Sequence, residues 1–135
     1  MIALVEPDAR RNGIVCRAEI PGGLPELHAD AALLRQAVLN LALNGCQAMP
    51  NGGKLTMSAA VEKDRRVSIT IEDTGIGIPS DKLDSIFDLY YTTKPEGSGI
   101  GLSIVYRIVQ LHGGEIEVQS TEGRGTSFRI LLPKE

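Results

Sequence analysis

The chain has no tryptophan, only two phenylalanines and three tyrosines among its 135 residues, and no excess of positive charge. Its 14 Lys and Arg are outnumbered by 17 Asp and Glu, for a formal net charge of −3. Nucleic-acid binding surfaces combine a basic field with aromatic side chains that stack on bases. Both features are missing, so we expect no nucleic-acid partner.

Long apolar runs and paired cysteines are absent as well. No segment approaches the ~20 apolar residues of a membrane-spanning helix, and Glu6, Pro7 and Asp8 lie where a signal peptide would be basic or apolar. Cys16 and Cys46 stand alone, which fits neither a disulfide framework nor a zinc pair. We therefore expect a cytoplasmic protein without direct membrane contact, and leave open whether a longer parent chain is membrane-anchored.

The remaining composition, 42% hydrophobic and 23% charged, is typical of one globular domain. Apolar periodicity and turn residues predict the order of the elements. They are a strand at 14–20, a helix from the N-cap Asp30 to about Met49, strands at 55–61 and 67–73, a short helix at 81–87, a helix at 100–112, and strands at 115–120 and 125–132. This order predicts an α+β two-layer sandwich, a mixed and mostly antiparallel sheet of about five strands with three helices on one face.

The first long helix carries an unusual stripe of amide side chains. At 100° per residue, Gln36, Asn40, Asn44 and Gln47 fall within about 80° of one another, with apolar residues on both edges. They are either core amides paired with one another or a polar seam along a pocket. In a pocket, amide oxygens would suit Mg²⁺, which is usually bound together with substrate phosphates.

Polar side chains also take core positions at two strand ends. Asp73 shares the parity of Val67, Ile69 and Ile71, and Thr126 shares that of Phe128. A buried carboxylate needs donors, which either the turn at 74–77 or a ligand amine could supply. Two such groups at neighbouring strand ends indicate one pocket floor.

Glycine-rich segments follow. The run 97–102 leads into a helix, where backbone N–H groups and the helix dipole favour an anion, and Lys94 precedes it. It is neither a P-loop nor a dinucleotide fingerprint, because the required Lys or third Gly is missing. Each glycine cluster alone is more often a turn than a site.

Five segments in this order resemble the boxes of the ATP-binding catalytic domain of sensor histidine kinases, in the group that also contains gyrase, Hsp90 and MutL. They are 39–48 (asparagine box), 73–79 (first glycine box), 86–94 (phenylalanine box and nucleotide lid), 97–102 (second glycine box) and 123–128 (last glycine box). The resemblance runs from about Gly13 to Pro133 and implies the Bergerat-type ATP-binding fold. The short lid is similar to that of the nitrogen-regulation kinases.

The resemblance implies a role for each matching residue, with ATP and Mg²⁺ as cofactors. Asn44 would ligate Mg²⁺, with Asn40 beside it near the phosphates. Asp73 would accept a hydrogen bond from the adenine amino group, and Thr126 would help through water. The remaining binding residues are Gly75 and Gly77 of the first glycine box, Ile78 and Leu102 beside the base, and Thr93, Lys94, Ser98, Gly99 and Gly101 around the phosphates. Catalytic roles fall to Asn40, Asn44 and Lys94.

The resemblance further implies transfer of the γ-phosphoryl group to a histidine on a separate dimerisation domain, with a response regulator as indirect partner. His28 and His112 lack the acidic residue that follows the family's acceptor histidine. Residues 1–12 would be a linker or helix end from that missing domain and 13–135 the catalytic domain. We expect this piece to be monomeric and to turn over little ATP alone.

Three alternatives stay open within the group: a hydrolase, a serine kinase of the anti-sigma type, and a nucleotide-gated interaction module. The hydrolases carry a glutamate base at the position of Asn40, whose amide cannot act as a base. This sequence also departs from the usual kinase pattern. Gly45 replaces Ala, Tyr90 and Tyr91 replace Phe-Phe, and Gln47 stands where many relatives have a basic residue.

Overall fold

The computed structural model describes residues 13–19, 31–62, 66–85 and 101–133. Its elements are β1 (Ile14–Glu19), α1 (Ala31–Gln47), β2 (Gly53–Val61), β3 (Val67–Asp73), a 3-10 helix (Ser80–Ser85), α2 (Gly101–Leu111), β4 (Glu115–Thr121) and β5 (Gly125–Leu132). The predicted strands and both long helices are confirmed, with ends displaced by one or two residues. The proposed N-cap Asp30 lies outside the described residues.

The five strands form one sheet in the order β1-β2-β3-β5-β4. β1 runs parallel to β2, whereas β2 with β3, β3 with β5 and β5 with β4 are antiparallel. The parallel pair is possible because α1 returns the chain from the end of β1 to the start of β2, as a crossover helix must. The predicted mixed, mostly antiparallel sheet is therefore confirmed.

The number of helices differs from the prediction. Within the described ranges, two α-helices cover the sheet, and the short helix predicted at 81–87 is a 3-10 helix at Ser80–Ser85. Its first turn is closed by a bond from Lys82 N–H to the Pro79 carbonyl, which spans three residues and not four. A segment of six residues is too short to offset the cost of nucleating an α-helix, and such pieces commonly take the tighter form.

One hydrophobic core lies between the helices and the sheet. The strands contribute residues of alternating parity, and the helices contribute one apolar stripe each. Its fully buried members with the largest side chains are Leu41, Met49, Val105, Val109, Phe128, Ile130 and Leu132. Both α-helices contact this single cluster, so they cover the same face of the sheet.

α2 ends in a glycine-dependent cap. Gly114 N–H donates to the Val109 carbonyl at 3.0 Å, and Gly113 N–H to the Gln110 carbonyl at 3.0 Å. This is the Schellman pattern, and Gly113 has the positive φ of 69° that the pattern requires. His112 lies in the cap, with Nδ1 2.8 Å from the Ile108 carbonyl, so it is the helix-end residue that the sequence predicts.

The opposite face of the sheet is polar and cross-linked by ion pairs. Arg129 on β5 pairs with Glu62 and lies 3.7 Å from Glu117 on β4. Arg66 lies 3.2 Å from Glu115. These pairs are largely exposed, so each contributes at most about 1 kcal/mol. Among the residues that the structure describes, no helix is long and apolar enough to span a bilayer.

Phe128 and its neighbour Ser127 separate the two faces in a stability test. Phe128→Ala removes a side chain that is 1% exposed and should lower the free energy of unfolding by about 3–5 kcal/mol. Ser127→Ala, on the polar face of the same strand, should lower it by less than about 1 kcal/mol. Urea-induced unfolding measures both, and equal losses would contradict the assignment of the faces.

Candidate functional site

The helix-facing side of the sheet becomes polar at one end. Strand register places one residue from each strand in a row: Cys16, Leu55, Asp73, Thr126 and Ser120. The next row is apolar throughout, with Ala18, Met57, Ile71, Phe128 and Val118. Asp73 and Thr126 are 9% and 6% exposed. The two inward polar groups that the sequence predicts at neighbouring strand ends are therefore adjacent across β3 and β5.

Asp73 is held both by the loop that follows it and by α1. Its Oδ1 accepts a hydrogen bond from Gly75 N–H at 2.9 Å. The turn at 74–77 is therefore one source of donors for this carboxylate, as the sequence suggests. The same side chain also lies against α1, because a Cβ built on Gly45 would be 3.4 Å from Asp73 Cβ and 3.5 Å from Oδ2. Asn44 is the preceding residue of α1. The acid and the amide helix therefore meet.

The amide stripe of α1 is graded in burial. Asn40 and Asn44, one turn apart, are half-buried, whereas Gln36 and Gln47 are exposed. Amide oxygens such as those of these two half-buried residues are hard ligands that suit Mg²⁺. Because both amides are neutral, an ion held here would need a ligand's phosphates to balance its charge.

The loop from Thr74 to Pro79 is bound to protein on both sides. Ile76 N–H donates to the Ala48 carbonyl at the end of α1 at 3.0 Å, and Gly123 N–H in the β4–β5 turn donates to the Ile76 carbonyl at 2.8 Å. Thr74 Oγ1 accepts from Lys54 N–H at 3.0 Å. The loop therefore bridges α1 and the last hairpin.

Gly75 and Gly77 are required by this bridging. A Cβ on Gly75 would be 2.4 Å from the Ala48 carbonyl oxygen, and one on Gly77 would be 2.4 Å from that of Thr121. Gly77 also has a positive φ of 73°. Both glycines thus admit protein backbone into close contact, a structural role that exists whether or not they also touch a ligand.

Ser120 was not identified from the sequence, although it belongs to the site. Its Oγ is 2.7 Å from Ile78 N, 2.8 Å from Thr126 Oγ1 and 3.1 Å from the Gly125 carbonyl oxygen. The available signal was its parity, because Ile116, Val118 and Ser120 alternate on the helix-facing side of β4. A third polar residue at a core position of a strand end could have been found in the same way as Thr126.

The remaining predicted residues divide into two groups. Ile78 and Leu102 are both half-buried and pack against the core cluster, and Gly101 is the first residue of α2. Thr93, Lys94, Ser98 and Gly99 lie outside the described residues, as do Tyr90, Tyr91 and His28.

A cleft of about 640 Å³ lies against the loop and is lined by the end of α1, the 74–79 loop and the β4–β5 turn. Of the predicted binding residues it includes Gly75 and Gly77, but not Asn44, Asp73 or Thr126. The lining of this cleft therefore does not include the row of polar side chains formed by Asp73, Thr126 and Ser120, called the polar row below.

The sequence of this chain matches a known protein family. Residues 29–135 match the family described as "Histidine kinase-, DNA gyrase B-, and HSP90-like ATPase". The chain belongs to this family. The predicted resemblance to the catalytic domain of sensor histidine kinases is thereby confirmed.

Individual kinases match along nearly the whole length of this chain. Sensor histidine kinase ZraS of Escherichia coli K12 is 44% identical over 132 residues, which are 98% of this chain and 28% of ZraS. Sporulation kinase E of Bacillus subtilis is 34% identical over 98% of this chain and 18% of its own length. The chain thus spans less than a third of these relatives.

Solved structures of histidine kinases share the fold. Full-length ShkA in complex with AMPPNP superimposes with a TM-score of 0.88 at 32% identity, covering 97% of this chain and 28% of ShkA. The nucleotide-free catalytic domain of ThkA gives 0.84 at 29% identity and covers 98% of this chain and 86% of that domain.

Gly77 and Gly123 offer a matched test of the loop contact. Both have positive φ, 73° and 82°, but a Cβ on Gly123 meets nothing within 4 Å. Gly123→Ala should lower the free energy of unfolding by about 1–2 kcal/mol through backbone strain alone. Gly77→Ala adds a clash with backbone and should cost about 3 kcal/mol or more. Chemical denaturation compares the two, and similar losses would show that the 74–79 loop yields easily.

Proposed function

We propose that residues 13–135 form the catalytic domain of a sensor histidine kinase, which binds Mg-ATP and donates the γ-phosphoryl group to a histidine on a separate domain. The observation that carries the proposal is the nearly buried Asp73 carboxyl. It lies against α1 at Gly45, the residue that follows Asn44. Asp73 accepts from Gly75 N–H, and an ionised carboxylate has about four acceptor positions, so it can accept a bond from a ligand as well. The amino group of adenine can donate this bond, and the family match makes a nucleotide the expected ligand.

In this proposal each polar group has one task. Asp73 orients the base by accepting from its amino group, with Thr126 next to it on β5. Ile78 and Leu102, both packed on the core, border the base. Asn44 and Asn40 lie on the phosphate side, where Asn44 binds Mg²⁺. The ion, when bound, neutralises phosphate charge, which together with positioning provides most of the catalysis in phosphoryl transfer.

The phosphate end of the proposed site is carried by the second glycine box and the lid. Gly101 opens α2, so the helix N-terminus offers backbone N–H groups and a partial positive charge to an anion. Thr93, Lys94, Ser98 and Gly99 are proposed phosphate-lid residues on sequence grounds.

The proposed setting follows from the same relatives. Residues 1–12 would join this domain to a dimerisation domain that bears the acceptor histidine, and a response regulator would receive the phosphoryl group. His112 is not proposed as the acceptor, because Gly113 follows it in place of the acidic residue that follows the family's acceptor histidine. We propose that the domain acts in the cytoplasm and is monomeric by itself.

Asp73→Asn tests the base assignment. The change replaces one carboxylate oxygen by an amide N–H₂. This group is a hydrogen-bond donor and cannot accept from the adenine amino group, so the affinity for Mg-ATP should fall by about tenfold or more. Glu72→Gln is the matched control, because Glu72 precedes Asp73 on the exposed face of β3 and should leave the affinity unchanged. Isothermal titration calorimetry measures both, and equal affinities in the two variants would overturn the assignment.

Phosphotransfer tests the activity. The isolated chain should bind Mg-ATP and release little phosphate, because Asn40 stands where a hydrolase needs a base. With a supplied dimerisation domain bearing its acceptor histidine, it should form an acid-labile, alkali-stable phosphoprotein. Rapid phosphate release by the chain alone would favour the hydrolase. An acid-stable product on a serine would favour the anti-sigma type, and nucleotide binding without any transfer would favour an interaction module.

A further inference from the structure

Ser120 is the third polar member of the row that contains Asp73 and Thr126. It pairs directly with Thr126, which pairs directly with Asp73, so the three side chains lie on neighbouring strands at one end of the helix-facing surface. Side chains directly opposite on antiparallel strands are in contact distance. Ser120 is therefore one strand removed from the acid and in contact with the threonine hydroxyl.

The partners of Ser120 favour one direction for each of its three hydrogen bonds. A hydroxyl has one hydrogen to donate and two acceptor positions. Ile78 N–H, 2.7 Å away, can only donate, and the Gly125 carbonyl, 3.1 Å away, can only accept. The Ser120 hydrogen is thus used on Gly125. Either hydroxyl could donate in the remaining contact, 2.8 Å to Thr126 Oγ1, and with the Ser120 hydrogen on Gly125 we assign Thr126 as the donor.

The reverse direction at Thr126 is disfavoured. If Ser120 donated to Thr126, two oxygen acceptors, Ser120 Oγ and the Gly125 carbonyl, would face each other at 3.1 Å without a hydrogen between them. Two acceptor oxygens at this distance repel each other, whereas a hydrogen between them stabilises the contact. The favoured arrangement is therefore the one in which Ser120 accepts from Ile78 and Thr126 and donates to Gly125.

This direction determines what Thr126 offers to a ligand. Its only hydrogen is donated towards β4, so its hydroxyl oxygen can act towards a ligand only as an acceptor. The neighbouring Asp73 carboxylate is also an acceptor. We propose that Ser120 is a positioning residue that keeps Thr126 an acceptor, so that the site selects a purine with an amino group at position 6 over one with an oxo group. The inference rests on the proposed nucleotide function.

Affinity ratios test this role. Mg-ATP, Mg-ITP and Mg-triphosphate are titrated into the wild-type chain, Ser120→Ala and Ser120→Thr. In Ser120→Ala the Thr126 hydroxyl is free to rotate and donate to the 6-oxo group of ITP. The ratio of ATP to ITP affinity should therefore fall about tenfold, with triphosphate binding unchanged. Ser120→Thr keeps the hydroxyl and should retain the wild-type ratio.

A merely structural role predicts a different result. Ser120 also holds Ile78 N–H, so loosening the loop would weaken ATP and ITP in parallel and leave their ratio unchanged, which would overturn the inference. Ser127→Ala, a serine on the opposite face of the neighbouring strand β5, should leave all affinities unchanged. If Ser120→Ala does not fold, Ser120→Cys replaces it, because a thiol is only a weak acceptor and releases the Thr126 hydroxyl in the same way.

The two proposals fail in different ways. A wild-type chain that binds none of the nucleotides would refute the nucleotide function and the Ser120 inference with it. A wild-type chain that prefers ATP to ITP, with the same preference in Ser120→Ala and Ser120→Cys, would refute only the role of Ser120.

Discussion

Close backbone contact around the 74–79 loop is the constraint on which the rest of the site depends. Gly75 lies against the last turn of α1 and Gly77 against the β4–β5 turn, at distances that leave no room for a Cβ. Hydrogen bonds from Ile76 and Gly123 close the same contacts. Because α1, β3 and the last hairpin meet at this loop, it fixes the distance between the amide helix and the polar end of the sheet.

The polar row is stable because its groups satisfy one another. Asp73 accepts from the loop, Thr126 and Ser120 share a hydrogen bond, and Ser120 accepts from Ile78 and donates to Gly125. Buried polar groups without such partners would each cost about 1–3 kcal/mol. The row also follows directly on the apolar row that contains Ile71 and Phe128, so the core ends where the recognition surface begins.

Much of this arrangement could be predicted from the sequence, because it follows from periodicity. The two-residue period of β3 and β5 predicted that Asp73 and Thr126 face inward, and the 3.6-residue period of α1 predicted that Asn40 and Asn44 share a face. The order of elements predicted a mixed sheet. These properties depend on local geometry alone, and the structure bears them out.

What could not be predicted depends on contacts between distant segments. The family resemblance implies that Gly75 and Gly77 bind the ligand, which stays a prediction, and no pattern in the sequence shows that they also face the backbone of Ala48 and Thr121. The 3-10 form of 80–85 is decided by a single bond to Pro79. The direction of the Ser120 bonds requires three distances that no spacing in the sequence contains.

Gly45 shows how such contacts can explain a departure from the family pattern. In the interior of a helix glycine costs about 1 kcal/mol relative to alanine, and alanine is the usual residue in the related kinases. Here a Cβ at this position would lie 2.8 Å from Leu55 Cδ1 and against the Asp73 side chain. Leu55 is 3% exposed and stands next to Asp73 in the row. An alanine would have to displace the end of the Leu55 side chain, so the missing Cβ at Gly45 leaves this leucine its place beside the acid.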